Sequence, residues 1–136
     1  MKLIIMVGLP ASGKTTLAEE YAEEFDCELI EYDKVIAPNK KETILSMIDG
    51  FLKDGKDVIL DGLYVAKKRR TEPIEVGRSY DAEICLYMVD TPYEECIENN
   101  KKREHPIDEV FIRLADVLYE EPTEDEYDTL IRSEKK

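Results

Sequence analysis

The sequence lacks the features that mark a membrane or secreted protein. Its opening apolar stretch, MKLIIMV, has seven residues, whereas a membrane-spanning helix needs about 20. The stretch runs directly into a glycine-containing loop, so we expect no signal peptide. Only three cysteines occur, Cys27, Cys85 and Cys96, without a C-x-x-C pair, which favours reduced thiols over disulfides or a metal site. We therefore expect a cytoplasmic protein without a membrane segment, and no pattern indicates an obligate protein partner.

Basic residues are also few. The chain has 19 Lys and Arg against 32 Asp and Glu, a formal net charge of −13, whereas a protein that binds many backbone phosphates usually has a basic face. This charge argues against a protein that wraps a long polynucleotide. A local basic rim would still allow binding of a strand end, because the charge near a site decides. Solubility is the simplest interpretation of the acidity itself.

The length predicts one domain, 1–136, because 136 residues form a single core with little room for further modules. Repeats, linkers and low-complexity segments are absent. Strands are predicted at residues 2–7, 27–33, 58–60 and 83–90, with DTLIRS as a candidate edge strand. Helical patterns separate them. This alternation predicts an α/β fold, a parallel sheet of four to five strands flanked by helices on both faces.

The helices are predicted from the spacing of apolar residues and from capping patterns. The first three lie at residues 15–25, at about 44–55 and at 67–80. TPYE, at residues 91–94, is typical of a capping box with proline at the first helical position. Another helix is predicted to begin at Pro106, and Thr123 with Glu126 to cap one more turn. Apolar residues of the helix after Pro106 that we expect to pack are Val110, Ile112, Leu114, Val117 and Leu118.

Residues 8–15, GLPASGKT, match G-x-x-x-x-G-K-[ST], the Walker A pattern of a phosphate-binding loop. The pattern follows a predicted strand and precedes a helix, which is the context that such a loop requires. Its glycines let backbone N–H groups face phosphate oxygens. Lys14 is expected to reach the β- and γ-phosphates and Thr15 to bind Mg²⁺, so ATP (or another NTP) and Mg²⁺ are the predicted cofactors. The predicted nucleotide-binding residues of the loop are Gly8, Leu9, Pro10, Ala11, Ser12, Gly13, Lys14, Thr15 and Thr16.

Two aspartates follow predicted strands, at the edge where ligands bind in such sheets. Asp61 follows the third strand, where a carboxylate can hold Mg²⁺ through water or bind an acceptor hydroxyl; capping of the next helix is the alternative. Asp33 ends the second strand, where it can take the proton of an attacking hydroxyl; a turn-forming aspartate is the alternative. Two acids that face one phosphate loop favour transfer to a bound alcohol over hydrolysis.

Basic residues occur at two points near these motifs. Arg103 follows a helix and precedes His105, a position from which it can reach the nucleotide and neutralise charge during transfer. A solvated surface arginine is the alternative, and His105 is assigned no catalytic part. Residues 67–70, KKRR, follow the third strand, and their spacing alone favours a solvated helix face.

The order of these motifs resembles the kinase domain of phage and animal polynucleotide kinases. The resemblance extends over roughly residues 3–131 and includes the phosphate loop, YD after strand two, VILDGLYVAKKRR, and VDTPYEECIENNKKREHPIDEVFIRLADVLYEEPT. The last segment is the more specific part, because the phosphate loop identifies only the superfamily. The resemblance implies a P-loop kinase fold with a lid at about residues 97–110.

The resemblance also implies residue roles. Lys14 and Thr15 hold the ATP phosphates and Mg²⁺, Asp33 is the general base for a 5′-hydroxyl, and Arg103 touches phosphate from the lid. The catalytic residues are thus Lys14, Asp33 and Arg103, with Arg103 also binding ATP. The implied acceptor-binding residues are Asp33, Asp61 and Arg70.

Three functions remain open from the sequence. The first is a kinase that transfers the γ-phosphate of ATP to the 5′-hydroxyl end of a nucleic acid. The second is a kinase of a small molecule, nucleoside or nucleotide. It is favoured by the charge of −13 and by Ile36, which stands where the family usually has an arginine that grips the acceptor phosphate. Gly62 also replaces a frequent asparagine or threonine, and LDG equally resembles nucleotide monophosphate kinases. The third is a nucleotide-binding NTPase module without a dedicated acceptor.

Overall fold

A computed structural model describes residues 1–133, and residues 134–136 of the predicted domain lie outside the described part. The strands and α-helices, in chain order, are β1 (Lys2–Val7), α1 (Lys14–Phe25), β2 (Glu28–Glu31), α2 (Lys40–Lys53), β3 (Val58–Asp61), α3 (Lys67–Ser79), β4 (Glu83–Met88), α4 (Tyr93–Lys101), α5 (Glu109–Leu118) and β5 (Thr129–Arg132). Two 3-10 helices, Tyr32–Lys34 and Glu124–Glu126, follow β2 and α5. Strand β2 is shorter than predicted, because the chain turns into the first of these helices.

Five parallel strands form one sheet in the order β2-β3-β1-β4-β5. This confirms the predicted α/β fold and the edge strand at DTLIRS. Strand β1 is central, and the chain passes from it first to β2 and β3 on one side and later to β4 on the other. Ligands bind at such a switch point, outside the carboxyl ends of the strands. The register pairs Glu31 with Asp61 and Val7 with Met88, so these strand ends share one edge.

Helices cover both faces of the sheet. Leu3 and Ile5 of β1 pack in a cluster with Ile48 of α2, whereas Ile4 packs in another cluster with Ala18 of α1. These clusters lie on opposite faces because successive side chains of a strand alternate. All five side chains are fully buried. Burial on both faces explains why β1 is a continuous apolar run instead of an alternating one.

Helix α5 differs from the prediction in its start and in its packing. It begins at Glu109 and not at Pro106, because Asp108 is the N-cap and its carboxylate accepts a hydrogen bond from the amide of Val110. Of the five apolar residues expected to pack, only Ile112 is buried. The other four are at least 47% exposed: Val110, Leu114, Val117 and Leu118. Helix α5 therefore uses one face for packing and leaves an apolar face in solvent.

No helix within residues 1–133 has both the length and the apolar composition needed to cross a membrane. Of the three cysteines, Cys85 and Cys96 are buried and Cys27 is half-buried. Burial, together with the neighbouring Glu83 carboxylate, raises the pKa of the Cys85 thiol to about 11. A protonated, buried thiol is a poor nucleophile and a poor metal ligand. The described residues also contain no cluster of three or more metal-ligating side chains.

Candidate active site

The loop between β1 and α1 has a backbone that explains both glycines of the Walker A pattern. Gly13 has a φ of 93°, in the left-handed region that favours glycine. At Gly8, an added Cβ would lie 3.0 Å from the carbonyl oxygen of Val89. A side chain there would push the loop away from the backbone that follows β4. Gly13 is therefore required by its conformation and Gly8 by a close approach.

Two side chains from the α4 region hold the loop in this shape. Asn99 Nδ2 donates to the carbonyl of Ala11 at 2.9 Å, and Thr91 Oγ1 donates to the carbonyl of Ser12 at 2.8 Å. The predicted capping role of Thr91 is wrong, because its hydroxyl bonds the loop. The Ser12 carbonyl and the Gly13 N–H belong to the same trans peptide and therefore point in opposite directions. The hydrogen bond from Thr91 to the Ser12 carbonyl thus turns the Gly13 N–H away from Thr91. No local pattern identifies Asn99, whose partner is 88 residues away in the chain.

The start of α1 presents amide groups to the loop. Gly13 is the N-cap, and no side chain caps the helix. The first amides of a helix have no acceptors within it, so those of Lys14, Thr15 and Thr16 remain available to a ligand. The first turn contains no acidic side chain that would neutralise the helix dipole. These amides and the Lys14 ammonium group are therefore positioned to bind an anion.

Asp61 lies against the loop, in contact with Lys14 and Thr15. Thr15 Oγ1 donates to Asp61 Oδ2 at 2.7 Å, and Lys14 Nζ lies 3.6 Å from Oδ1, an ion pair longer than a hydrogen bond. Asp61 is buried, and its Oδ1 has no hydrogen-bond partner in the described part of the chain. Helix α3 begins after Ala66 without a side-chain cap. The alternative of Asp61 as a helix cap is therefore wrong.

The Thr15 hydroxyl and the Asp61 carboxylate fit a Mg²⁺ site. Mg²⁺ is usually bound through one or two protein oxygen groups, with phosphate oxygens and water as the remaining ligands. A buried oxygen without a partner, such as Asp61 Oδ1, is unfavourable unless a ligand or water contacts it. Thr15 would hold the ion, with Asp61 beside it directly or through water. Both oxygens belong to residues that line the same cleft.

An open cleft of about 660 Å³ brings most of the predicted residues together. Gly8, Leu9 and Ser12 belong to the loop but do not line the cleft. Its charged lining consists of four cationic side chains and three carboxylates, so the cleft is locally positive in an acidic chain. The predicted site residues that line it are Pro10, Ala11, Gly13, Lys14, Thr15, Thr16, Asp33, Asp61 and Arg103.

Asp33 enters the cleft from the 3-10 helix that follows β2. Glu31, the last residue of β2, is in register with Asp61, so Asp33 lies just beyond the strand ends that carry the site. Its side chain is exposed. Within residues 1–133 it makes no hydrogen bond or ion pair, so the carboxylate is free to accept a proton from a ligand.

Arg103 enters the cleft from the turn between α4 and α5. Asn100 Nδ2 donates to the Ile107 carbonyl at 2.8 Å, and the Ile107 amide donates to Asn100 Oδ1 at 3.1 Å. This reciprocal pair closes the base of the turn, and Asn100 is buried there. Arg103 is exposed and has no ion-pair partner in the described part of the chain. The side chain of His105 is 91% exposed and does not line the cleft.

The implied role of Arg70 in binding the acceptor is wrong, because its guanidinium is 0% exposed. Its Nε donates to Glu126 Oε1 at 2.8 Å and one Nη to Oε2 at 3.4 Å. Burial acts to raise the pKa of Glu126, but hydrogen bonds from Arg70 and from the Thr123 amide hold the pKa below its usual value. Glu126 is also fixed by the capping box with Thr123, which was predicted and is confirmed. The other N–H groups of Arg70 donate to three backbone carbonyls, those of Tyr64, Val65 and Glu120.

Arg69, the neighbour of Arg70 on α3, lines the cleft instead. Successive residues of a helix are about 100° apart, so the burial of Arg70 turns Arg69 toward solvent. Arg69 is exposed and forms no ion pair within residues 1–133. The KKRR cluster is therefore not one solvated face. Arg70 belongs to the interior and Arg69 to the wall of the site.

The two positions at which the sequence departs from the resembled family have structural explanations. A Cβ on Gly62 would lie 2.8 Å from both Tyr32 Cβ and Tyr64 Cε2, so glycine allows both tyrosines to pack closely against residue 62. Ile36 is 97% exposed and does not line the cleft. Residue 36 therefore lies outside the cleft, whereas Arg69 is part of its wall.

Comparison with known proteins gives one matching family and several solved structures of similar fold. The AAA domain family matches residues 3–118. A sugar kinase from Janibacter sp. HTCC2649 superimposes with a TM-score of 0.78 and 18% identity, over 97% of this chain and 85% of that one. A fungal RNA kinase superimposes with a TM-score of 0.75 and 18% identity, over 96% of this chain and 38% of that one. Kti12 from Chaetomium thermophilum, in complex with ADP-AlF3, superimposes with a TM-score of 0.71 and 26% identity, over 96% of this chain and 88% of that one.

No curated protein matches the sequence. The three superpositions show that the five-stranded parallel sheet and its helices form the fold of P-loop kinases. The family match spans residues 3–118, which include the phosphate loop, Asp33, Asp61 and Arg103. The chain therefore belongs to the AAA domain family and has a P-loop kinase-like fold.

Proposed function

We propose that the protein is an ATP-dependent kinase that transfers the γ-phosphate to the 5′-hydroxyl end of a nucleic acid. The observation that carries the proposal is the shared cleft, which Lys14 and Thr15 line together with Asp33, Arg69 and Arg103. Groups suited to binding the phosphates of ATP and an exposed carboxylate suited to binding a hydroxyl thus line the same cleft. ATP and its acceptor can therefore be held in contact. Two similar folds support the proposal, an RNA kinase and a Kti12 that binds ADP-AlF3.

Each residue has a role in the proposed transfer. The acceptor oxygen bonds to the γ-phosphorus as the bond from that phosphorus to the β–γ bridging oxygen breaks, and ADP leaves. Asp33 accepts the hydroxyl proton. Lys14 and the first amides of α1 bind the oxygens of the transferring phosphoryl group, and Arg103 adds positive charge from the rim of the cleft. When bound beside Thr15 and Asp61, Mg²⁺ supplies further neutralisation of phosphate charge.

A kinase of a small hydroxyl compound is the second candidate. It is favoured by the sugar kinase, whose fold superimposes with a TM-score of 0.78, and by the net charge of −13. A nucleotide-binding NTPase without a dedicated acceptor is the third. The free Asp33 carboxylate argues against this one, because hydrolysis needs no residue placed for an alcohol.

An acceptor panel distinguishes these functions. The protein is incubated with γ-labelled ATP, Mg²⁺ and, in separate reactions, 5′-hydroxyl DNA and RNA oligonucleotides, 5′-phosphorylated oligonucleotides, mononucleotides, nucleosides and sugars. We expect label on 5′-hydroxyl oligonucleotides and none on their 5′-phosphorylated counterparts. Label on sugars or mononucleotides alone would support the second candidate. Release of labelled phosphate with every acceptor ignored would support the third.

Lys14→Ala should lower the rate of phosphoryl transfer by about 10²–10³-fold, which is the usual loss when one hydrogen-bond donor that stabilises the transition state is removed. The fold should persist, because the Lys14 side chain lies at the cleft and not in the sheet. Transfer from labelled ATP and thermal unfolding measure the two effects. Lys53→Ala, at an exposed lysine in the last turn of α2, is the matched control and should keep full activity. A Lys14→Ala variant with normal turnover would contradict the assignment of the phosphate loop.

Arg103→Ala should lower kcat by about 10²-fold while changing the KM for the acceptor little. A cation at the rim of the cleft acts mainly on the charge that develops during transfer. Steady-state kinetics with varied acceptor separate the two constants. Lys102→Ala is the control, since Lys102 is exposed next to Arg103 but does not line the cleft. An unchanged kcat in Arg103→Ala would assign Arg103 to the solvated surface.

A further inference from the structure

A second cavity of about 480 Å³ adjoins the cleft, and Tyr32 and Arg69 line both cavities. We call this cavity the side groove. Helices α2 and α3 supply most of its wall, and the remainder comes from Tyr32, Tyr64, Ala66 and Leu118. Because Tyr32 precedes Asp33 in the chain, the boundary between the cavities lies next to the proposed general base. A ligand longer than the reacting group could therefore extend from the cleft into the side groove.

The charged lining of the side groove is mainly cationic. Lys41, Lys68 and Arg69 line it, and its single carboxylate, Glu72, is already paired with Lys41. Lys68 and Arg69 have no ion-pair partner within residues 1–133. Lys40 adds another cation, with Nζ 4.3 Å from the centre of the Tyr32 ring. A local excess of positive charge in a chain of net charge −13 indicates an anionic ligand.

The uncharged lining indicates a planar, apolar group beside that anion. Two tyrosine rings and the aliphatic side chains of Ile44, Leu45 and Leu118 line the groove. Among the described residues, no Ser, Thr, Asn or Gln contributes to it, although such side chains are the ones that orient a compound made of hydroxyl groups. Aromatic and apolar walls next to arginine and lysine are typical of sites that stack a base and contact the nucleic acid backbone.

We infer that the side groove binds the second nucleotide of a single-stranded acceptor, and that Arg69 contacts the phosphate joining it to the first. The inference rests on the proposed function, since the first nucleotide would place its 5′-hydroxyl in the cleft by Asp33. Arg69 lies on the boundary between the cavities, which is where the linking phosphate must pass. Arg70 cannot substitute for it, because every donor of its guanidinium is used within the fold.

The test compares two acceptors that differ in one charge. Both are short 5′-hydroxyl oligonucleotides, one with a normal phosphate and one with a neutral methylphosphonate at the first linkage. For the wild type, we expect the methylphosphonate to raise KM by about 10- to 100-fold, because it loses a charge-assisted hydrogen bond. Arg69→Gln should raise KM for the normal acceptor similarly and should no longer discriminate between the two. Arg69→Lys should recover part of the discrimination, because it keeps the charge but not the bidentate geometry.

The control is Arg78→Gln, which removes an exposed arginine from the same helix at a place that lines neither cavity. It should discriminate between the acceptors as the wild type does. Binding of a 3′-labelled oligonucleotide, measured against salt, gives a second readout. Arg69→Gln should reduce the slope of log K against log salt by about 0.7, the value for one phosphate contact on a single strand.

Two results would overturn the inference, and only the second would also contradict the proposed function. If Arg69→Gln still discriminates between the two acceptors, Arg69 does not contact that phosphate, while the proposed kinase activity is unaffected. If the wild type phosphorylates no 5′-hydroxyl oligonucleotide, the proposed function fails and the inference fails with it.

Discussion

Asp33→Asn should reduce acceptor phosphorylation by roughly 10²–10⁴-fold, the usual contribution of a general base. Asparagine has nearly the same size as aspartate but cannot take the hydroxyl proton. In the proposed mechanism the phosphate loop holds ATP without help from Asp33, whose side chain makes no hydrogen bond or ion pair with the loop in the described structure. Nucleotide affinity should therefore stay near the wild-type value. Rates of labelled phosphate transfer and equilibrium nucleotide binding check the two halves of this prediction.

Hydrolysis of ATP without acceptor provides the sharper comparison for Asp33→Asn. Residual hydrolysis uses water in place of the acceptor, so it should fall far less than transfer does. Asp54→Asn, an exposed aspartate at the end of α2, is the matched control for loss of one negative charge and should keep both rates. An equal loss of hydrolysis and transfer in Asp33→Asn would make Asp33 a structural or metal-binding residue.

Arg70→Met should lower the free energy of unfolding by about 3–5 kcal/mol, the effect of removing one partner of a buried ion pair. Methionine fills much of the volume but leaves the Glu126 carboxylate without its guanidinium. It also leaves the carbonyls that Arg70 contacts without that donor. Urea unfolding at neutral pH measures the loss. Arg69→Met, one residue earlier on the exposed side of α3, should change stability little.

The loss of unfolding free energy caused by Arg70→Met should be smaller at acidic pH. In the wild type the folded pKa of Glu126 lies below its usual value, so its stabilising contribution is full above the unfolded pKa of about 4.3 and disappears as the pH falls through the folded pKa. In the variant, burial without Arg70 raises the pKa of Glu126, and protonation then relieves the unpaired charge. The two unfolding free energies should therefore converge from pH 7 toward pH 4. If Arg70→Met had wild-type stability but bound the acceptor more weakly, Arg70 would instead be an acceptor-binding residue.

Much of the site follows from the sequence because its signals are local. The phosphate loop is one continuous pattern, and its glycines are needed for the backbone of that same loop, by a positive φ at Gly13 and a close approach at Gly8. The positions of Asp33 and Asp61 follow from where apolar runs end, since parallel strands bring their carboxyl ends to one edge. The alternation of strands and helices likewise predicts the parallel sheet, which the pairing of the strands confirms.

The roles of side chains whose partners are distant in the chain depended on the tertiary structure. In the sequence, KKRR is one basic cluster. In the structure, Arg70 is buried and forms a hydrogen-bonded ion pair with Glu126, 56 residues away. Its neighbour Arg69 consequently lies at the cleft. Asn99 and Thr91 support the loop through contacts with residues 88 and 79 positions away. Local spacing reports which face of an element a residue occupies, but only the packed chain determines what lies opposite that face. The sequence thus predicted the fold and the candidate phosphate site, whereas long-range packing decided which cations and polar side chains surround that site.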